Sequence, residues 1–142
     1  MIWKRPFTIE SLNAFSQNTM NEHLDLKFTA FGPDFLQATM PVDHRTMQPY
    51  RLLHGGASAS LAESVGSCAA ILCLSEDSGM VAVGQELNIS HLSSARGGLV
   101  TATAKPFRIG RSAQVWGIEI VDEAGRLVSV ARLTMAVIAQ NK

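Results

Sequence analysis

Residues 54–75 read HGGASASLAESVGSCAAILCLS, and this stretch decides the fold. Its small and aliphatic residues favour a helix over 55–75, although each of its three glycines costs about 1 kcal/mol of helix propensity. The one carboxylate in the stretch is Glu63, nine residues after His54. A lone carboxylate is costly to bury in an apolar helix unless it has a partner or a function. The stretch therefore predicts a core helix that carries a functional acid.

Segments of alternating polarity surround this helix and predict an antiparallel sheet. Thr8 is expected to cap a short helix that runs to about residue 18. The predicted strands cover residues 24–31, 35–42, 80–91, 99–108, 113–121 and 126–138. One long apolar helix among these strands must be covered by the sheet, because no other element offers enough apolar surface. We predict an α+β fold of about six strands around one long helix, in a single domain over 1–142.

The composition excludes several classes of function. Twelve basic and twelve acidic residues among 142 cancel, and no basic stripe is present, so we expect no nucleic-acid partner. The N-terminus lacks the apolar region of a signal peptide, and the longest apolar stretch contains Glu63 and several serines. A cytoplasmic protein without membrane contact is expected. Cys68 and Cys73 are predicted to be buried as small hydrophobic residues, without a disulfide.

Five residues near the helix start could carry chemistry. Glu63 has no basic residue three or four positions away, so it is a candidate general base or nucleophile. Ser67 lies one turn further on the same face. The free N–H groups of a helix that begins at Gly55 could bind an anion or an oxyanion, beside His54. Gln48 could donate from the preceding loop.

The residues alone leave other interpretations open. Glu63 could be a solvated helix carboxylate, His54 a structural residue and Gln48 an exposed loop residue. Residues 56–60 lack the last glycine of a nucleophile elbow. The four histidines have no metal-ligand spacing, and no P-loop or dinucleotide fingerprint is present. Neither a metal nor a cofactor is expected.

Six stretches resemble the hotdog-fold acyl-CoA thioesterases of the phenylacetate-pathway and 4-hydroxybenzoyl-CoA (Arthrobacter-type) group. The likeness is greatest to the bacterial 1,4-dihydroxy-2-naphthoyl-CoA hydrolases and the enterobactin proofreading thioesterases. The stretches are MIWKR (1–5), MPVDHRTMQP (40–49), LLHGGAS (52–58), LAESVGS (61–67), VGQELN (83–88) and GRSAQVW (110–116). The resemblance implies a curved antiparallel sheet that wraps one long central helix.

The resemblance also implies a reaction, the hydrolysis of aromatic or bulky acyl-CoA thioesters, with 1,4-dihydroxy-2-naphthoyl-CoA of menaquinone synthesis as a candidate. Glu63 would attack the thioester carbonyl or activate water, and Ser67 would place the water. The Gly55 N–H, helped by Gln48, would polarise the carbonyl oxygen, and His54 would support the substrate. Coenzyme A, which is part of the substrate, is expected along Gly84, His91, Leu92, Ser93, Ser94, Arg108, Ile109, Gly110, Arg111 and Ser112.

By the same resemblance the protein is a homotetramer, a dimer of dimers with its sites at the dimer interface. Gln48, His54 and Gly55 of one subunit would then face the acid of the other. Two departures concern the substrate: Ser93 stands where relatives carry an arginine, and Arg51 where they carry a glycine. The alternatives are hydrolysis of acyl groups mischarged on an acyl carrier protein, a non-catalytic acyl-CoA-binding hotdog module, and a hydratase or dehydratase.

Overall fold

The computed structural model describes residues 1–141 and contains one antiparallel sheet and three α-helices. The sheet has the strand order β1-β2-β4-β5-β6-β3. The elements, in chain order, are α1 (Ile9–Phe15), α2 (Met20–His23), β1 (Lys27–Phe31), β2 (Leu36–Pro41), α3 (Gly55–Leu72), β3 (Met80–His91), β4 (Leu99–Ile109), β5 (Ala113–Val121) and β6 (Leu127–Ala139). The predicted arrangement of six strands and one long helix is confirmed.

The helix α3 forms the centre of the core, and strands β2 to β6 all pack against it. Small residues bring helix and sheet close together, since a Cβ added to Gly66 would lie 2.6 Å from Cδ2 of Leu133. One buried polar link also joins the two layers. Gln114 donates from Nε2 to the carbonyl of Ala70 at 3.2 Å and accepts from Nε1 of Trp116 at 2.9 Å. The core therefore holds α3 in one fixed rotation relative to the sheet.

The predicted boundaries differ from the structure mainly near the N-terminus. The short helix predicted to reach residue 18 ends at Phe15, because Asn18 adopts a left-handed φ of 59°. Thr19 then caps the short helix α2, which was not predicted. For this reason the strand predicted over 24–31 begins at Lys27, after Asp25 at φ 53°. The long helix predicted over 55–75 ends at Leu72, and a 3-10 turn follows.

Strand β3 runs along one edge of the sheet for twelve residues, paired to β6 on one side. A long strand edge that is not covered is a common site of pairing with another chain. Among residues 1–141, no helix is long and apolar enough to cross a membrane. Cys68 and Cys73 are free thiols. Cys73 is buried, as predicted, whereas Cys68, which was also predicted to be buried, is half-buried.

Candidate active site

The start of α3 presents an unpaired backbone donor. His54 is the N-cap residue: its Nδ1 accepts the N–H of Gly56 at 2.8 Å, and its carbonyl accepts the N–H groups of Ala57 and Ser58. Because Nδ1 is an acceptor, the ring proton lies on Nε2. Among the hydrogen bonds of residues 1–141, none uses the N–H of Gly55. This N–H lies at the positive end of the helix dipole and can donate to an oxyanion.

The loop before α3 orients the side chain of Gln48. Its Oε1 accepts the N–H of Tyr50, so the NH2 group of the carboxamide points the other way as a donor. Buried Thr46 connects this loop to the helix, because its hydroxyl donates to the carbonyl of Pro41 at 2.6 Å and its own carbonyl accepts the N–H of His54 at 2.8 Å. The loop therefore supplies a second oriented donor close to the helix start.

Arg51 in the same loop adopts a φ of 66°. A residue with a side chain is strained in this left-handed conformation, by roughly 1–2 kcal/mol, and glycine is not. A glycine at this position would avoid the strain.

Six of the predicted site residues meet in one cavity of about 370 Å³. They are Gln48, Gly55, His91, Leu92, Ser93 and Ser94. The His91 ring lies directly over Gly55, since an added Cβ there would be 2.6 Å from Nε2 of His91. On its other side Nδ1 of His91 lies 3.0 Å from Oγ of the buried Ser129. We name Gln48, Gly55 and residues 91–94 the donor cluster.

Two predicted residues of this region have local structural contacts. Ser93 donates from Oγ to the carbonyl of Leu127 at 2.6 Å, so its hydroxyl fixes the loop after β3. The carbonyl of the next residue, Ser94, accepts from the Arg126 guanidinium at 2.6 Å. Sequence reasoning missed Arg126, because its distance of 32 residues from Ser94 hid their contact.

Glu63 and Ser67 lie elsewhere, in a second cavity of about 520 Å³. The Glu63 carboxylate rests on the backbone of β3, where a Cβ on Gly84 would overlap its Oε1. Ser67 donates from Oγ to Sδ of Met135 at 3.6 Å, a weak bond that leaves its hydroxyl available. We name Glu63, Ser67 and Gly84 the acid cluster.

The donor cluster and the acid cluster of one chain are far apart. Gly55 and Glu63 are separated by eight residues of α3, about 12 Å along the helix axis. Gly84 and His91 are separated by seven residues of β3, about 23 Å along the strand. A general base and oxyanion donors must each come within about 3 Å of the reacting groups. The donor cluster and the acid cluster of one chain are therefore too far apart to act on the same reacting group.

The predicted residues Arg108, Ile109, Gly110, Arg111 and Ser112 form the end of the β4–β5 hairpin and line neither cavity. The register places this hairpin near the acid cluster. Ala113 pairs with Ala136 of β6, which in turn pairs with Val83 of β3, next to Gly84. Two strand spacings, about 10 Å, therefore separate the hairpin from Gly84.

The pKa shifts of Asp43 and Cys68 indicate structural roles for these two side chains. Hydrogen bonds from Arg45 lower the pKa of Asp43 to about 2, so this pair stays ionised. Burial raises the pKa of Cys68 to about 12, which keeps its thiol protonated and unreactive. Within residues 1–141, no three His, Cys, Asp or Glu side chains come together in a way that could hold a metal ion.

Comparisons with known proteins agree on the class. A family model described as Thioesterase superfamily matches residues 50–129. The 1,4-dihydroxy-2-naphthoyl-CoA hydrolase of Escherichia coli K12 is 51% identical over 138 residues, 97% of this chain and 100% of that protein. The proofreading thioesterase EntH of Cronobacter sakazakii is 49% identical, over 97% of this chain and 99% of its own length. A crystal structure of a Haemophilus influenzae thioesterase matches with a TM-score of 0.96 at 49% identity, covering 100% of this chain and 98% of that one.

The six-stranded sheet packed on α3 and the similarity to known thioesterases together define a hotdog-fold hydrolase. The chain belongs to the thioesterase superfamily, and it is an enzyme that hydrolyses thioesters. The predicted family, fold and class of reaction are thereby confirmed.

Proposed function

We propose that the protein hydrolyses acyl-CoA thioesters with aromatic or bulky acyl groups at a site shared by two subunits. The observation that carries this proposal is the division of the machinery into a donor cluster and an acid cluster near the two ends of the edge strand β3. Each cluster lacks what the other has, so two chains could complete each other.

Antiparallel pairing of two β3 edges would bring the clusters together. In a two-fold arrangement centred on residue 88, His91 of one chain lies opposite Gln85 of the other, beside Gly84. The donor cluster of each subunit then meets the acid cluster of its partner, at two equivalent sites. The uncovered edge of β3 supports this dimer. The predicted homotetramer, a dimer of two such dimers, is part of the same proposal.

The chemistry follows from the groups present. The Gly55 N–H and the Gln48 NH2 would donate to the thioester carbonyl oxygen and stabilise the negative charge that develops there. Glu63 of the partner would either take a proton from water, placed by Ser67, or attack the carbonyl carbon itself. In the first route the water oxygen bonds to the carbonyl carbon, the C–S bond breaks, and the thiolate takes the proton from Glu63. In the second route the C–S bond breaks as the carboxylate forms a mixed anhydride with the acyl group. Water then hydrolyses this anhydride, which releases the acid, restores Glu63 and supplies the proton that the thiolate takes up. Within residues 1–141 no hydrogen bond uses Nε2 of His54, whose N–H would support the substrate.

The cavity beside Glu63 supports a bulky acyl group. Its volume is about 520 Å³, and much of its wall is apolar, including Phe7, Phe15 and Phe28. The relative that acts on 1,4-dihydroxy-2-naphthoyl-CoA makes that compound a candidate substrate. Coenzyme A would extend along residues 91–94 and the hairpin 108–112. A thioester on an acyl carrier protein is the second candidate, favoured by the relative named as a proofreading thioesterase.

Thiol release from a panel of acyl-CoAs tests the proposal. The panel contains benzoyl, 4-hydroxybenzoyl, dihydroxynaphthoyl and aliphatic thioesters. Glu63→Gln should lower kcat on the order of 10²–10⁴-fold, the usual contribution of an acid–base group. Glu76→Gln, at an exposed carboxylate on the 3-10 turn, is the control and should keep full activity. Undiminished turnover by Glu63→Gln would exclude this role, and no turnover of any acyl-CoA by the wild type would favour the carrier-protein thioester or a binding module.

A further inference from the structure

We infer that Asn21 is a specificity-determining residue. It donates a hydrogen bond to an oxygen atom that the acyl group carries close to its thioester carbonyl. This hydrogen bond selects aroyl thioesters whose ring carries a hydroxyl group ortho to the thioester carbonyl. The inference rests on the proposed function, and it concerns the inner wall of the 520 Å³ cavity.

The cavity lies between one stripe of α3 and the N-terminal part of the chain. Glu63, Ser64, Ser67, Cys68 and Ile71 supply the helical stripe. On the opposite side the wall comes from α1, α2 and the segment before them. The short helix α2 therefore forms part of a substrate pocket, although sequence reasoning had not predicted this helix.

A hydrogen bond between the two walls orients the Asn21 amide. Ser64 donates from Oγ to Oδ1 of Asn21 at 2.9 Å. The amide nitrogen Nδ2, with its two N–H donors, must therefore face away from Ser64. Within residues 1–141, no hydrogen bond uses Nδ2. A half-buried amide whose acceptor is occupied and whose donors are free suits an acceptor on a ligand.

The other polar side chains of the cavity have different tasks. The hydroxyl of Ser11 belongs to the capping box of α1, where it pairs with Thr8. Arg5 donates from Nε to the carbonyl of Leu74. Leu74 lies beyond the end of α3 at Leu72, and Leu72 is already about 14 Å of helical rise from Glu63. Arg5 therefore lies toward the far end of the pocket, Ser67 is the residue proposed to place the water, and Asn21 offers amide donors near the acid.

The position of Asn21 specifies where on the acyl group the oxygen must be. Its partner Ser64 directly follows Glu63, and both line this cavity and the smaller one beside it. The thioester carbonyl must reach the Glu63 carboxylate. The amide therefore faces atoms one or two bonds from the carbonyl, whereas Ile71 and Leu72 face the remote part of the acyl group. This pattern fits an ortho hydroxyl on an otherwise apolar ring.

Three substrates and three variants test this. We compare kcat/KM for benzoyl-, 2-hydroxybenzoyl- and 4-hydroxybenzoyl-CoA. The wild type should prefer the 2-hydroxy compound to benzoyl-CoA, and Asn21→Leu, of similar volume, should reduce this ratio about 10-fold, the effect of one hydrogen bond. Turnover of benzoyl-CoA should change less than about 2-fold, because the lost donor has no partner there. Ser64→Ala should reduce the ratio in part, and Gln17→Leu, an amide outside this cavity, should leave it unchanged.

The inference would be overturned if the ratio of kcat/KM for 2-hydroxybenzoyl-CoA to that for benzoyl-CoA were equal in the wild type and in Asn21→Leu. It would also be overturned if Asn21→Leu lowered kcat/KM equally for all three substrates, or only for 4-hydroxybenzoyl-CoA. Calorimetry separates this failure from that of the proposed function. Phenacyl-CoA and 2-hydroxyphenacyl-CoA are thioethers that cannot be hydrolysed. A hydroxyl preference in their binding that Asn21→Leu abolishes would support the role of Asn21 even if no thioester is turned over. Equal binding of both thioethers by both proteins would overturn it.

Discussion

At the scale of single residues, the contact between Gly84 and Glu63 controls the position of the carboxylate. A Cβ at residue 84 would overlap Oε1 of Glu63. We expect Gly84→Ala to displace the carboxylate and to lower kcat at least about 10²-fold, since small misplacements of a catalytic group have effects of this size. Steady-state thiol release measures it.

Gly97→Ala is the matched control for this substitution. No atom lies within 4 Å of a Cβ added to Gly97, and its φ is not positive. Its activity should equal that of the wild type. If Gly84→Ala keeps the wild-type kcat, the carboxylate does not need its position against β3.

Arg51 provides a second prediction at this scale. Replacing it by glycine removes the strain of a left-handed residue but increases the freedom of the unfolded chain, so we expect a net gain of about 0.5 kcal/mol in unfolding free energy. Urea denaturation measures this gain. Arg96→Gly, at an exposed loop arginine without a positive φ, should instead lose about 0.5 kcal/mol. Equal effects of the two substitutions would contradict the assignment of strain to Arg51.

At the scale of elements, the loop between β2 and α3 is held by an ion pair with a defined pH dependence. Asp43 accepts two side-chain hydrogen bonds from Arg45, at 3.1 and 2.6 Å, and these lower its pKa from 3.8 to about 2. A carboxyl whose pKa is lower in the folded state stabilises the fold above its unfolded pKa. Its contribution must therefore be lost as the pH falls from about 4 to about 2.

We expect Asp43→Asn to be less stable than the wild type at pH 7, with a difference that disappears toward pH 2. Urea unfolding at a series of pH values measures the difference. Asp77→Asn, at an exposed carboxyl on the 3-10 turn, should show no such pH dependence. A constant difference between wild type and Asp43→Asn across this range would mean that the ion pair does not stabilise the loop.

At the scale of the whole molecule, the proposal of sites shared by two subunits predicts complementation between inactive variants. We expect Gln48→Ala to disable the donor cluster and Glu63→Gln to disable the acid cluster. A mixed dimer of the two contains one intact site and one doubly altered site if the clusters come from different chains. After subunit exchange of an equal mixture, half of the dimers are mixed, so about a quarter of wild-type activity should return.

The same mixture distinguishes a site shared by two subunits from a site formed within one chain. In that case every site carries a substitution, and the activity of the mixture equals the mean of the two separate variants. Mixing Glu63→Gln with Gly84→Ala is the control. Both changes lie in the acid cluster, so no mixed dimer would have an intact site, and no activity should return.

The sequence by itself was enough for the order of the six strands and the long helix, and for the class of protein. The helix at 55–72 and the strands 80–91 and 113–121 were predictable because their polarity patterns follow the local helical and strand periods. The motifs around His54 and Glu63 were specific enough to indicate the thioesterase superfamily. The break at Asn18 and the helix α2 were not predictable, because a left-handed residue and a one-turn helix leave little periodic signal.

Tertiary structure alone decided how the site residues are grouped. Glu63 and Gly55 lie eight residues apart in sequence, yet the rigid rise of α3 keeps them in different cavities. His91 and Gly55 lie far apart in sequence, yet the packing of β3 on α3 brings them into contact. The amide of Asn21 reaches Ser64 across 43 residues. Local periodicity encodes elements, but packing of the sheet on α3 determines which side chains share a cavity.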